Sequence, residues 1–412
     1  MIDFKKFELE NGLRVIYHED KSTPLVCLNI LYDVGARDEE PDKTGFAHLF
    51  EHLMFGGSVN IPNYDEPLQR AGGENNAFTT NDITNYYLTA PYENIETGFW
   101  LESDRMLSLA FSEKSLEVQR NVVIEEFKQR YYNQPYGDVW LLLRPLAYKV
   151  HPYLWNTIGK EISHIENAKM EEVKAFFSKH YNPSNAILVV AGNISFEETQ
   201  RLTQKWFAPI TGRIKEKRNL PVEPPQTEER KLTVEREVPL DAIYKAYHVG
   251  ARGDEDYHAM DMVSDILSNG KSARLYLELV KNKQLFSEIN AYMTGDLDKG
   301  LFVVSGKLVK GVAMEVAEAA IEEELSKFKN NLPGERELTK IKNKLESILV
   351  FSEMSVLNKA MNLATYELMG DAAMINKETE KYLKVSAEKI SEVINKYVRK
   401  ENCSTLYYKS IS

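Results

Sequence analysis

The sequence predicts an α+β protein built from two homologous halves, in each of which an antiparallel sheet is covered by helices. Three observations lead to this fold class. The chain has 412 residues, which is enough for two domains that each have a core of their own. A pattern of strand, turn and helix occurs twice, and a polar segment rich in proline lies between the two copies.

The repeat is clearest in two strand-like segments, residues 28–39 and 243–254, which share the sequence Val-Gly-Ala-Arg. Four identical residues are compatible with coincidence. The elements around them also agree, however, because a helical pattern follows each segment and a strand-like pattern opens each half. These flanking segments are 44–55 and 257–267 for the helices, and 13–17 and 232–237 for the strands. The shared order indicates a duplication.

Residues 214–230 combine several charged residues with Pro221, Pro224 and Pro225, a composition typical of a linker. We therefore expect an N-terminal α+β domain at 1–213 and a C-terminal α+β domain at 231–412.

Composition excludes several classes of function. The net charge of −11 argues against a nucleic-acid partner. No apolar run approaches the length of a membrane span, and the first residues lack the apolar core of a secretion signal, so we expect a cytoplasmic protein without a membrane partner. Cys27 and Cys403 are far apart in the sequence, which predicts neither a disulfide framework nor cysteine ligands for a metal.

The strongest chemical signal is the segment His48-Leu-Phe-Glu51-His52. Histidines four residues apart lie on one face of a helix, where both imidazoles can bind the same zinc ion. Glu51 flanks that face, so its carboxylate can reach a metal-bound water. The order His-x-x-Glu-His is the inverzincin signature, the reverse of the common metalloprotease motif. The alternative is a structural cluster of buried polar side chains, which we consider weaker because burying ionisable groups is costly.

The surrounding residues place this motif on a short, largely buried helix. Apolar residues recur at helical spacing beside the histidines, Thr44 is a candidate N-cap, and Gly56 and Gly57 follow as a stop signal. The helical stretch of the second half contains no histidine pair, so we expect one zinc ion per chain, in the N-terminal half.

A catalytic zinc site needs a third protein ligand and one open position. Residues 116–132 have a helical pattern and offer two adjacent carboxylates, Glu125 and Glu126. Glu126 has Val122 and Val123 in the preceding turn, whereas Glu125 has polar neighbours. Spacing therefore favours Glu126, since one residue of helical rotation decides burial, and leaves Glu125 as the alternative.

The chain resembles the pitrilysin (insulinase) family of zinc peptidases, in particular its short members, which include the bacterial homologues of mitochondrial processing peptidase subunits. The resemblance extends over nearly the whole chain. It includes an opening strand at 7–15, the approach to the histidines at 35–39 and 45–48, the segment 119–126, and His151-Pro-Tyr with Ile158-Gly. It implies that His48 and His52 bind zinc, that Glu51 is the catalytic base, and that Glu126 is the third ligand.

The resemblance also implies a clam-like chamber formed by a dimer of two-domain chains. Substrate peptides add a strand to an exposed sheet edge near the metal. Residues 72–80 resemble that edge, so we expect substrate to bind along five residues: Asn75, Asn76, Ala77, Phe78 and Thr79. An ordinary edge strand or loop is the alternative.

Two positions depart from the family pattern. Gln119 stands where a glutamate usually supports the metal site. Family members that act alone carry an arginine and, seven residues later, a tyrosine in the C-terminal half, whereas this chain has Val280 and Ser287 at the matching positions. The resemblance therefore implies that the chain is the catalytic subunit of a heterodimer, whose metal-free homologous partner supplies the pair. A homodimeric peptidase, a maturase of one peptide precursor and a structural or assembly subunit are the alternatives.

Overall fold

The computed structural model describes residues 1–411, which form two compact units. Each unit is assembled from three separate stretches of the chain. Unit 1 contains Met1–Gln129, Trp155–Leu220 and Val350–Lys377, and unit 2 contains Arg130–Leu154, Pro221–Leu349 and residues 378–411.

Unit 1 contains a six-stranded sheet with the order β1-β2-β6-β3-β5-β4. β6 pairs in parallel with β2, and all the other neighbours are antiparallel. The strands are β1 (Lys5–Glu8), β2 (Arg14–Glu19), β3 (Leu25–Tyr32), β4 (Glu74–Thr79), β5 (Thr84–Pro91) and β6 (Ala186–Gly192).

Unit 2 contains a five-stranded sheet with the order β7-β11-β8-β10-β9. Here β11 pairs in parallel with β7, and the remaining neighbours are antiparallel. The strands are β7 (Arg230–Arg236), β8 (Ala242–His248), β9 (Phe286–Met293), β10 (Leu301–Leu308) and β11 (Cys403–Ser410).

The two sheets have the same topology once β1 is set aside. In both sheets the first strand of the repeat pairs in parallel with the last strand, and the strand that leads into Val-Gly-Ala-Arg is central. That central strand is β3 in unit 1 and β8 in unit 2. The α+β class and the two related halves predicted from the sequence are confirmed.

Helices cover both faces of the unit 1 sheet. α12 packs on β6 and β3, α3 packs on β5 and β3, and α1 packs against β4 and β5. Coverage of both faces explains why β6 consists entirely of buried residues. The helices of this unit are α1 (Phe46–Leu53), α2 (Asp65–Arg70), α3 (Ile95–Leu107), α4 (Glu113–Phe127), α6 (Ile162–Glu166), α7 (Met170–His180), α8 (Phe196–Phe207) and α12 (Val356–Leu368).

The unit 2 sheet likewise has a core on each face, because the side chains of β8 alternate. Ile243 and Tyr247 pack with α9 and its neighbours, whereas Ala242 and Ala246 pack with Leu143 of α5. The helices are α5 (Val139–Ala147), α9 (Tyr257–Ser268), α10 (Met314–Asn330), α11 (Glu335–Ser352, whose last residues belong to unit 1), α13 (Glu378–Lys384) and α14 (Ala387–Tyr397).

The units differ from the expected domains 1–213 and 231–412 in two segments. Residues 130–154, with α5, belong to unit 2, and residues 350–377, with α12, belong to unit 1. Each segment supplies the helix that covers one face of a sheet. The first part of the expected linker at 214–230 is anchored on unit 1, where Lys215 binds Asp33 and Arg218 binds both Asp33 and Asp38.

No helix within residues 1–411 combines the length and the apolar composition that are needed to cross a bilayer. Cys27 and Cys403 are both buried free thiols.

Candidate metal centre

The histidine pair lies on α1, which is buried along most of its length. The prediction that Thr44 is the N-cap was wrong, because the helix begins at Phe46 and Gly45, with φ of 91°, occupies the cap position. The Thr44 hydroxyl instead accepts the N–H of Lys160 at 2.7 Å and contacts Nδ1 of His164 at 2.8 Å. Threonine is a common N-cap residue. The Thr44 side chain, however, forms its bonds to the segment at 158–164 and so connects the start of α1 to that segment.

α4 packs against α1 and brings Glu126 to the histidines. Oε2 of Glu126 lies 3.6 Å from Nε2 of His48 and 3.3 Å from Nε2 of His52. The two imidazole rings are close to perpendicular, with centroids 4.8 Å apart. One donor atom from each of the three residues therefore lies within 4.8 Å of the others.

These distances fit a shared metal better than direct hydrogen bonds. Hydrogen bonds from nitrogen to oxygen have lengths of about 2.7–3.2 Å, and both contacts of Glu126 are longer. In a tetrahedral zinc site with bonds of about 2.0–2.2 Å, the ligand atoms lie about 3.3–3.6 Å from one another. Two imidazoles and one carboxylate are also a donor set that leaves a fourth position open. The residues present therefore fit zinc.

Glu125 faces away from this cluster. Its side chain is 62% exposed and pairs with Lys128 at 2.7 Å, whereas the Glu126 side chain is 20% exposed. Of the two carboxylates, Glu126 is therefore the one that lies beside the histidines.

The carboxylate of Glu51 is hydrogen-bonded to a residue of β4. The Thr79 hydroxyl donates a hydrogen bond of 2.7 Å to Oε2 of Glu51. Two buried phenols, Tyr86 and Tyr181, lie near the same carboxylate. Burial raises the pKa of both tyrosines, with a smaller contribution from the Glu51 charge, so both remain neutral.

β4 is an edge strand, since β5 is its neighbour in the sheet and the order ends at β4. The five predicted substrate-binding residues, Asn75, Asn76, Ala77, Phe78 and Thr79, all belong to it. Oδ1 of Asn76 accepts the N–H of Ala77 at 2.8 Å, and the Asn75 amide donates to Asp65 at 3.0 Å. Phe78 is 36% exposed.

Gln119 lies on α4, seven residues before Glu126, beside the glycines that follow α1. Its Nε2 is 3.9 Å from the point where a Cβ on Gly56 would lie. In unit 2, Val280 is part of a π-helical segment (Tyr276–Asn282), and Ser287 is an exposed residue of β9 whose hydroxyl donates to the carbonyl of Lys307 at 3.1 Å.

Two sequence models of one protein family match this chain. The model described as Insulinase (Peptidase family M16) matches residues 14–139. The model described as Peptidase M16 inactive domain matches residues 167–345. The chain belongs to the insulinase family, peptidase family M16.

Relatives in the insulinase family extend over nearly the whole chain. The zinc protease PqqE of Helicobacter pylori is 29% identical over 407 residues, which cover 97% of this chain and 91% of that protein. A probable mitochondrial-processing peptidase subunit beta of Arabidopsis thaliana is 24% identical over 354 residues, covering 83% of this chain and 66% of that protein.

Solved structures agree on the fold. The crystal structure of a protease from Helicobacter pylori matches with a TM-score of 0.93 and 29% identity, and covers 99% of this chain and 100% of that one. A structure of a peptidase M16 inactive domain from Pseudomonas fluorescens matches with a TM-score of 0.89 at 17% identity, covering 100% and 98%, and shows the fold alone.

Two features of this insulinase-family site were missed from the sequence. The first is the carboxylate of Glu39, which accepts backbone N–H groups at the start of α1. The resemblance of residues 35–39 to the family was a sequence signal that could have pointed to this residue. The second is a buried ion pair. Arg105 donates two hydrogen bonds, of 2.8 and 2.6 Å, to Glu102, and its guanidinium lies over the Tyr86 ring. Both residues of this pair are on α3, and a buried pair has no distinctive sequence signal.

Proposed function

We propose that the chain is a zinc-dependent endopeptidase. The observation that carries the proposal is the convergence of His48, His52 and Glu126, with Glu51 one residue before the second histidine and bonded to the edge strand β4. The three candidate ligands, the candidate base and an edge strand thus lie together in unit 1.

The metal would be held by Nε2 of His48, Nε2 of His52 and Oε2 of Glu126. When bound there, zinc would lower the pKa of a water toward neutrality and would polarise the carbonyl of the scissile peptide bond. The protein's part is to hold three donor atoms at tetrahedral spacing and to keep the fourth position accessible.

Glu51 moves the proton. Its carboxylate accepts a proton from the attacking water and then donates that proton to the leaving amine. During this transfer the Thr79 hydroxyl donates a hydrogen bond to Oε2 of the same carboxylate. Thr79 thereby fixes the orientation of the carboxylate.

A peptide substrate would bind as an added strand along β4. The backbone of Asn75, Asn76, Ala77, Phe78 and Thr79 would pair with the substrate backbone, which suits extended or unfolded segments of many sequences. The side chain of Asn76 must first release the Ala77 N–H that it accepts. This exchange replaces one hydrogen bond by another, so the net cost is small.

We further propose that this chain is the catalytic subunit of a heterodimer that encloses the substrate in a chamber. Val280 and Ser287 stand where self-sufficient relatives carry an arginine and a tyrosine, and neither side chain can bind substrate carbonyls in the same way. A metal-free homologous subunit would supply that pair. A homodimer and a maturase of one precursor are the alternatives within the same chemistry.

A structural or assembly subunit is the alternative from a different class of function. Subunit 1 of the bovine cytochrome b-c1 complex is 25% identical over 207 residues, covering 50% of this chain and 42% of that protein. The presence of all four residues of the proposed site in this chain favours catalysis over such a role.

The proposal is tested by incubating the zinc-loaded chain with a quenched-fluorescent peptide library, alone and mixed with a homologous chain that lacks the histidine pair. The blank is Glu51→Gln, which keeps the three ligands. We expect cleavage in the mixture and none above background with Glu51→Gln. Cleavage by Glu51→Gln at the wild-type rate would refute the assignment of the base.

A further inference from the structure

The start of α1 is bound by a carboxylate from outside the helix. Glu39 is 7% exposed, and both of its oxygens accept backbone N–H groups: Oε2 that of Gly45 at 2.8 Å, and Oε1 that of Ala47 at 2.9 Å. Ala47 directly precedes the first histidine of the pair.

This arrangement substitutes for an ordinary N-cap. The first N–H groups of a helix have no partner within it, and a side chain at the cap position usually accepts one of them. Gly45 has no side chain, and a Cβ there would lie 2.7 Å from the carbonyl oxygen of Ile158. Thr44, the preceding residue, bonds to Lys160 instead. Glu39 therefore performs the capping from six residues upstream.

Capping matters more for α1 than for a longer helix. α1 has eight residues, and a helix of that length has little stability of its own. His48 lies in its first turns, so fraying at the N-terminus would change the distance from Nε2 of His48 to Oε2 of Glu126, which belongs to a different helix. Burial raises the pKa of Glu39, and the N–H groups of Ala47 and Gly45 act in the opposite direction, so the capping rests on these two hydrogen bonds.

We infer that Glu39 is a positioning residue of the metal centre, which holds the first turn of α1 so that His48 and His52 meet Glu126 at ligand distance. The inference rests on the proposed zinc function. It goes beyond that function because it assigns part of the metal affinity to a residue whose carboxylate binds the backbone at the start of α1.

A purely structural role would lower stability without changing metal affinity, so the test needs a matched control. Glu223 provides one in unit 2. It is 6% exposed, and its carboxylate accepts the N–H groups of Lys149, Val150 and His151 at 2.8–3.0 Å. Glu223→Gln therefore removes the same kind of interaction in the unit that lacks the proposed zinc site.

The experiment measures zinc affinity by competition with a chromophoric chelator, and thermal unfolding of the metal-free protein, for wild type, Glu39→Gln and Glu223→Gln. Both variants should unfold at lower temperature, since an amide cannot accept with both of its heteroatoms. Only Glu39→Gln should also lose zinc affinity, by about tenfold or more. Wild-type zinc affinity in folded Glu39→Gln would overturn the inference.

Glu39→Asp keeps the test decisive if Glu39→Gln does not fold. Aspartate retains the carboxyl group but is one methylene shorter, so it can reach only one of the two N–H groups. We expect a smaller but measurable loss of zinc affinity, and wild-type affinity would again overturn the inference. Failure of the proposed function is distinguishable, because it would be seen in the wild type itself, as absent zinc binding or absent cleavage in the presence of bound zinc.

Discussion

Thr79 donates a 2.7 Å hydrogen bond from its hydroxyl to Oε2 of Glu51, and this bond joins the last residue of the edge strand β4 to the carboxylate beside the histidine pair. The strand that we propose to bind substrate is thus connected directly to the proposed base. The strand proposed to bind the peptide and the hydroxyl that orients Glu51 therefore belong to the same element, β4.

Replacement of Thr79 by valine should reduce turnover. Valine keeps the branched shape of threonine but cannot donate to Glu51, so the carboxylate loses the bond that orients it. We expect kcat to fall about tenfold, equivalent to about 1.4 kcal/mol, with unchanged zinc content. The measurement is steady-state cleavage of a fluorescent peptide. Thr79→Ser, which retains the hydroxyl, is the control and should stay close to wild type; equal kcat for Thr79→Val and wild type would contradict the role.

Replacement of Glu126 by glutamine should weaken metal binding strongly. The amide oxygen is a poorer and uncharged ligand, whereas the same change at the neighbouring exposed position, Glu125→Gln, removes only a surface pair with Lys128. We expect at least a tenfold loss of zinc affinity for Glu126→Gln and none for Glu125→Gln, measured by chelator competition. The reverse result would make Glu125 the ligand.

The position of α12 in unit 1 predicts a dependence of stability on pH. Lys359 of α12 lies 2.7 Å from Asp20, which follows β2. Burial alone would raise the pKa of Asp20, but bonds from Lys359 and Ser22 outweigh it and lower this pKa to about 2. A lowered pKa means that the ionised carboxylate stabilises the fold above pH 4, and that this contribution is lost as the pH falls from about 4 to about 2.

Lys359→Met should therefore lower the free energy of unfolding by about 1–2 kcal/mol at pH 7, and the difference from wild type should shrink between pH 4 and pH 2. Urea unfolding at several pH values gives both quantities. The control is Lys384→Met, which breaks an exposed pair with Glu380 and should change little. A difference that stays constant down to pH 2 would show that the Asp20 charge is not involved.

The proposed division of labour between two chains predicts a gain of function. Introducing the missing pair as Val280→Arg with Ser287→Tyr should raise peptide cleavage by the chain without a partner. The measurement is the cleavage rate of the isolated zinc-loaded chain, with the same double substitution in Glu51→Gln as the control. Robust cleavage by the unaltered chain alone would contradict the heterodimer and favour a homodimer.

Much of this structure was predictable because the relevant signals are local. The strand-like segments that became β3 and β8, the shared Val-Gly-Ala-Arg and the histidine spacing on α1 each depend on residues within a few positions of one another. The choice of Glu126 over Glu125 followed from helical rotation, which is also local.

The features that were missed depend on contacts between distant residues. The amphipathic patterns of α5 and α12 predict helices but do not indicate which sheet each helix covers. Each of them covers a sheet assembled mainly from the other half of the sequence. Thr44 and Glu39 were ambiguous for the same reason. A threonine before a helix resembles a cap, and a glutamate in a polar turn resembles a surface residue, until the segment at 158–164 and the buried N-terminus of α1 are in place.

The most direct test of the central claim is the zinc content of the purified chain after metal removal, reloading and dialysis. We predict one zinc per chain for wild type and for Glu51→Gln, and none for a folded His48→Ala, His52→Ala double variant. Absence of zinc in the wild type, or one zinc per chain retained by the double variant, would contradict a metal centre built from His48, His52 and Glu126.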